Sequence, residues 1–169
     1  STPATARSQS VALEQSTEEN IKVLCRVRPF NNREIEIHSK SVEGKPTWEQ
    51  YPIRSVVEFS GGQCAFLDAE HDWIEKEKFG FDSCFWSIPE TIQGSENPFA
   101  TQETVFNIYG KEVLEQAWKG YNTCFFAYGQ TGSGKTHSMM GTLEDTEEYP
   151  ADPGLTPRLC KQLFEDVDA

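Results

Sequence analysis

Eight consecutive residues, Gly129-Gln130-Thr131-Gly132-Ser133-Gly134-Lys135-Thr136, fit the pattern G-x-x-x-x-G-K-[ST]. Residue types at that spacing suit the holding of a nucleoside triphosphate by its phosphates. Glycines at 129, 132 and 134 let the main chain turn through conformations closed to residues with a Cβ, so successive N–H groups from about Gln130 to Lys135 can converge on phosphate oxygens. Lys135 brings a point charge for the β- and γ-phosphates, and the Thr136 hydroxyl is a ligand of the kind Mg2+ takes. A helix starting near Lys135 adds its unpaired amides to the same field. The competing reading is a Gly/Ser-rich turn with an incidental lysine, and the flanking sequence decides against it.

Those flanks must position the loop. Before it runs Cys124-Phe125-Phe126-Ala127-Tyr128, apolar enough for a buried strand, expected over Asn122 to Tyr128; after it comes a short helix expected from Lys135 to Met140. Upstream, Thr101 is a candidate N-cap with Glu103 in the first turn. Phe106, Tyr109, Val113 and Ala117 then recur at helical spacing as far as Lys119-Gly120, a basic last turn and a glycine stop. Gly110 weakens that helix by about 1 kcal/mol relative to alanine. Apolar and charged residues alternate from Ile21 to Arg28, a strand stopped by Pro29, and alternation from Phe79 to Trp86 predicts a second main strand.

The rest is less regular. Residues 31–78 are polar and interrupted, with β-like pieces at Ile53 to Phe59 and Cys64 to Leu67 around Gly61-Gly62, and read as a hairpin or small lobe. Residues 91–100 read as a loop. Residues 141–154, carrying Glu144, Asp145, Glu147, Glu148 and Asp152, read as a solvated acidic loop, and helical spacing resumes at Leu155, Leu159, Leu163 and Val167. Residues 1–20 have little to bury and are expected to be a disordered leader. The expected architecture is α/β, a largely parallel central sheet flanked by helices, with the phosphate site at the carboxyl end of a strand. A strand as apolar as 123–128 needs neighbours on both edges, and the chain offers few, so other sheet strands are expected from outside this sequence.

Composition narrows the partners. With 27 acidic against 15 basic residues, the net charge of −12 argues against direct contact with nucleic acid. No apolar run reaches the length that crosses a bilayer, so no membrane contact by this segment is expected. The five cysteines, at 25, 64, 84, 124 and 160, lack a C-x-x-C pair, and the three histidines show no metal-ligand spacing; free thiols in a reducing compartment explain them best.

Three segments in this order, Cys25-Arg26-Val27-Arg28-Pro29, Phe79 to Phe85, and Gly120 through Gly141 with Phe126-Ala127-Tyr128-Gly129-Gln130-Thr131 leading the phosphate loop, resemble the N-terminal half of a kinesin motor domain. Ile108 to Glu115, Trp86 and Gly154 to Cys160 look like the vesicle-transporting subfamily. The resemblance covers residues 21 to 168 and half a motor, a P-loop NTPase-type fold. It implies ATP and ADP as ligands, Mg2+ on Thr136, a microtubule as partner and a place on the cytoskeleton in the cytoplasm. In kinesins the R-x-R-P segment borders the adenine, which implies that role for Arg26, Arg28 and Pro29, with Phe106 and His137 on the same side. Proline, arginine and aromatic rings can sandwich a purine. The alternatives are a solvated strand face for the arginines, a core position for Phe106 and a surface position for His137.

The family's N-x-x-S-S-R and D-L-A-G-S-E segments, which sense the γ-phosphate and position water, do not occur in this sequence. No catalytic residue is therefore assigned. The first functional expectation is the ATP-binding N-terminal part of a microtubule-stimulated ATPase. The second is a nucleotide-binding assembly module without motor activity, which self-associates or pairs with a partner through unpaired edges. A GTPase or small-molecule kinase shares only the phosphate loop, and no N-K-x-D segment is present to read guanine.

Overall fold

Strand β1 (Leu24–Val27) and strand β5 (Ser83–Trp86) form a parallel pair in which Leu24 lies beside Ser83 and Val27 beside Trp86. Between them in sequence come helix α1 (Asn32–Val42) and a three-stranded antiparallel meander of β2 (Val57–Ser60), β3 (Gln63–Asp68) and β4 (Ile74–Gly80). After β5 follow α2 (Gln102–Val105), a π-helical turn (Phe106–Gly110), α3 (Lys111–Trp118), α4 (Lys135–Met139), a short pair of β6 (Gly141–Thr142) with β7 (Asp152–Pro153), and α5 (Leu155–Val167). This computed structural model describes residues 21–45, 52–60, 62–93, 97–144 and 151–168. The expected leader and the acidic residues Asp145, Glu147 and Glu148 lie outside them.

The β1–β5 pair divides the interior in two because successive side chains of a strand point to opposite faces. Leu24 and Phe85 join one cluster with Ala100, Val105, Phe106, Tyr109, Leu114 and Leu155, which is the face the helices cover. Cys25, Val27, Cys84 and Trp86 join the other, with Phe59, Cys64 and Ile88, which is the face the meander covers. Edge-to-face contacts seat the key rings, Phe85 on Tyr109 at 6.1 Å and Phe59 on Trp86 at 6.0 Å between centroids. The Tyr109 hydroxyl shares a 2.7 Å hydrogen bond with Ser83 Oγ and so finds a polar partner at the rim. All five cysteines are free thiols. Burial, then the neighbouring Cys64 and Cys84, push the Cys25 thiol up to about 12, so it stays protonated and behaves as a small apolar side chain.

Across the span 31–78, expected as a hairpin or small lobe, the described residues form α1 and the meander, which runs on to Gly80, with Ser60 opposite Gln63 and Gly62 in the left-handed region at φ +78°. Its outer strand β4 carries Glu75, Lys76, Glu77 and Lys78, and is exposed along its whole length. Helix α1 was not expected. Its signal is local: Asn31 accepts from the Glu34 amide while the Glu34 side chain accepts from the Asn31 amide, a reciprocal cap at the start of a segment with no buried residue. The single strand expected from Phe79 to Trp86 is two, because Phe81 and Asp82 turn the chain from the meander into the parallel pair. The Phe81 amide binds Gly62 O, and the Asp82 amide binds Val23 O.

The largest departure concerns residues 122–128. They make no strand ladder among the described residues, against the expectation of a buried central strand. Alternation survives: Phe125 and Ala127 are half-buried, with Phe125 against the helix-side cluster, while Phe126 is 78% and Tyr128 97% exposed. An apolar sequence makes pairing favourable, but backbone groups form a sheet only against a second strand, and the described residues bring none to either edge. The acidic loop is corrected at its ends, where Gly141 and Thr142 pair with Pro153 and Asp152.

Gly110 has a reason that its helix propensity conceals. A Cβ there would lie 2.4 Å from Cδ2 of Phe106, whose ring is buried in the core and has nowhere to move. The wide turn lets that ring lie back over the glycine. Gly110→Ala should therefore destabilise by about 1–3 kcal/mol through overpacking, where propensity alone gives a gain of about 1 kcal/mol. Urea midpoints of the two proteins decide between the signs.

Candidate nucleotide-binding site

The parity of β1 sets the site. Arg26 and Arg28 share a face with Leu24, the helix side, and both reach towards the phosphate loop and the helix that follows it. Arg28 Nε donates to the carbonyl of Gly132 at 2.8 Å, and its Nη1 and Nη2 clasp the Glu34 carboxylate at 2.8 and 2.7 Å. One planar guanidinium thus links β1, the start of α1 and the middle of the loop, as a fork of donors can and a point charge cannot. The loop itself turns where the glycines allow it, with φ of +155° at Gly129, +81° at Gly132 and +93° at Gly134. A Cβ on Gly129 would fall 2.5 Å from Ser133 Oγ, and one on Gly134 would touch Arg28. Close approach adds to the backbone angle at Gly129, whereas at Gly134 the positive φ alone favours glycine.

Ser133 closes a turn by donating its amide to Gln130 O at 3.1 Å, and α4 begins with Ser138 N to Gly134 O at 2.9 Å. The amides of Lys135, Thr136 and His137 precede that first helical bond and so have no carbonyl of their own helix to bind. Lys135 Nζ donates to the carbonyls of Gly129 and Gln130, both at 2.8 Å, folding back across the loop's opening residues. Thr136 is exposed. The arrangement fits a phosphate chain: a small-residue turn, amides without internal acceptors, an ammonium held by neutral carbonyls that an anion outcompetes, and an accessible hydroxyl.

The expected adenine-side residues separate. Pro29 is exposed beside Arg28, and the His137 ring is exposed at the start of α4. Phe106 is not beside them as a surface: at 6% exposed it belongs to the helix-side core, so the alternative weighed from sequence is the one the structure adopts. Arg26 is turned inward. Its Nε donates to Ser87 Oγ at 3.0 Å, and its Nη1 to Gln102 Oε1 at 2.7 Å and Ser138 Oγ at 3.2 Å. Gln102, only 1% exposed, in turn donates Nε2 to the His137 carbonyl at 2.6 Å and approaches His137 Nδ1 at 3.0 Å. Sequence reading missed Gln102, Ser87 and Glu34. A glutamine at the first position of a helix carries no periodic signal, whereas the Asn31–Glu34 spacing is a readable cap. Among the described residues no group of His, Cys, Asp and Glu side chains is arranged to hold a metal ion, and no helix is long and apolar enough to cross a membrane.

The Arg28–Glu34 pair has a pH signature. The guanidinium, with help from the Asn31 amide and against partial burial, holds the Glu34 carboxyl down to about 2 from an ordinary 4.5. A folded value below the unfolded one stabilises above the ordinary value, and that stability is lost as the pH falls through the folded value. With both partners about a third exposed, the pair contributes about 0.2–1 kcal/mol. The difference in urea midpoint between the native protein and Glu34→Gln is expected to be full near neutrality and to close as the pH drops from about 4.5 towards 2.

Comparison with known proteins accounts for this assembly. The profile of the kinesin motor domain matches residues 26–169. Among characterised relatives, mouse kinesin-like protein KIF13A is 40% identical over 152 residues, 87% of this chain and 7% of its own length. Drosophila melanogaster Klp98A is 42% identical over 149 residues, 86% of this chain and 10% of its own. Caenorhabditis elegans unc-104 is 38% identical over 149, covering 88% of this chain and 8% of its own. A solved structure, KIF14 with ADP in complex with a microtubule, superposes with a TM-score of 0.63 at 34% identity, over 88% of this chain and 34% of that one. This chain therefore spans a tenth or less of those relatives and about a third of the solved one. The parallel pair, its helices and the phosphate loop are an N-terminal portion of a P-loop NTPase-type fold, and the chain belongs to the kinesin motor domain family.

Proposed function

We propose that this chain is the ATP-binding portion of a microtubule-based motor ATPase, working on microtubules in the cytoplasm, within the subfamily that carries vesicles. The observation that carries the reading is the loop 129–136, held by Arg28 through Gly132 and built on three positive-φ glycines, in a chain of the kinesin family. The adenine ring is placed against Pro29, Arg28 and His137, with Arg26 as a brace behind them and Phe106 as core. The β-phosphate is placed on the amides from Gln130 to Lys135. Lys135 exchanges the carbonyls of Gly129 and Gln130 for phosphate oxygens.

Thr136 offers the hydroxyl that would hold Mg2+, which when bound neutralises charge on the β- and γ-phosphates. The chain's own contribution to hydrolysis is electrostatic: fixed amides and one lysine aimed where charge grows as the γ-phosphate leaves. Activation of the attacking water is assigned to no residue of this chain, since the switch motifs do not occur in it. ADP and a microtubule are bound by the KIF14 neighbour, and family membership at 34% identity supports both for the parent of this chain.

A second reading, a nucleotide-binding assembly module without movement, draws on the uncovered side of residues 122–128, where Phe126 and Tyr128 stand exposed. Sedimentation over a range of concentrations tests it: the assembly reading expects a mass that grows with concentration, and a monomer that holds its mass throughout defeats it. For the first reading, Lys135→Ala removes a charge-assisted contact worth about 1.5–3 kcal/mol. ATP affinity by equilibrium dialysis is expected to fall about 10- to 100-fold, with unfolding unchanged; an unaltered affinity refutes the assignment.

A further inference from the structure

Gln102 is the best-buried polar side chain of the molecule's described part, and its two ends face partners of opposite kind. A guanidinium has donors only, so the atom 2.7 Å from Arg26 Nη1 is the amide oxygen. A backbone carbonyl has lone pairs only, so the atom 2.6 Å from His137 O is the amide nitrogen. Both neighbours impose the same orientation, which removes the usual ambiguity between amide oxygen and nitrogen. Arg26 is itself fixed: Ser87 Oγ, which spends its hydrogen on the Ala100 carbonyl at 2.6 Å, turns a lone pair to Arg26 Nε, and Ser138 Oγ lies 3.2 Å from Nη1.

The consequence falls on His137. The Gln102 nitrogen carries hydrogens and no lone pair, and it lies 3.0 Å from Nδ1. A hydrogen on Nδ1 would face another hydrogen, so Nδ1 must accept and the ring proton must sit on Nε2. We propose that Gln102 is a positioning residue which holds the His137 ring with Nδ1 as acceptor and hydrogen on Nε2, so that the exposed ring offers a nucleotide base one donor at a fixed edge. The inference rests on the nucleotide site proposed above for its use, but not for its geometry, since every contact in it lies within the protein. The donors run in one direction, from Arg26 to Gln102 to His137, so the loop-flanking ring is set from β1.

The test begins without nucleotide. In the intact protein labelled with 15N at histidine, long-range proton–nitrogen spectra should show His137 Nδ1 bare and Nε2 protonated, in one tautomer. Gln102→Glu keeps the bond to Arg26, loses the one to the His137 carbonyl and presents an acceptor to Nδ1, and should move the proton there; Gln102→Met, which can neither donate nor accept at that position, should give a mixture. ATP affinity, read by equilibrium dialysis, should fall about fivefold in Gln102→Glu, the scale of one hydrogen bond. A mixed or Nδ1-protonated ring in the native protein overturns the proposal even if the variants fail to fold, as does a bare Nδ1 in Gln102→Glu. A moved proton with unchanged ATP affinity supports the role of Gln102 and instead refutes the placing of His137 at the base.

Discussion

Side chains on a strand alternate, and over β1 and the residue that follows it that constraint sorts the molecule. Leu24 goes to the helices and Cys25 and Val27 to the meander, while Arg26 and Arg28 are left on the same side as the phosphate loop. Neither arginine need be near the loop in sequence; they lie more than a hundred positions from Gly132 and Ser138. The parallel pairing of β1 with β5 brings them there. A slip of one residue in that register would send both guanidiniums to the meander and the thiol of Cys25 to the loop.

From this placement the two arginines take different work. Arg28 is shared between a carboxylate and a loop carbonyl, which pins the one stretch of backbone whose shape matters for phosphate. Arg26 is half-buried among neutral acceptors, Ser87, Gln102 and Ser138, and joins β1 to α2 and α4. A partly desolvated cation loses stability with each acceptor removed, so such a cluster resists rearrangement. The rigid part of the site therefore lies behind the loop, and the part that must exchange partners, the Lys135 ammonium, lies in front of it.

The phosphate loop was legible because its glycines and lysine carry their chemistry in their spacing, and the helix from Gln102 to Trp118 because its apolar residues recur with the right period. The strand at 122–128 was misread for a physical reason: propensity is a property of a segment, pairing a property of two. The same holds for Phe106, which the family resemblance implied for the base and the packing of Phe85, Val105 and Leu155 claims for the interior. Gln102 was illegible because nothing in a sequence distinguishes a glutamine that faces water from one enclosed by an arginine and a histidine. Helix α1 was legible in its cap and overlooked because its remaining residues bury nothing.

The outer strand of the meander has a consequence for the protein in a crowded solution. Among the described residues nothing pairs with its outer edge, and glutamate and lysine alternate along Glu75 to Lys78, so a strand from another molecule could bond there only by stripping water from four charged heads. Uncontrolled growth of that sheet is discouraged at the side where it is easiest to begin.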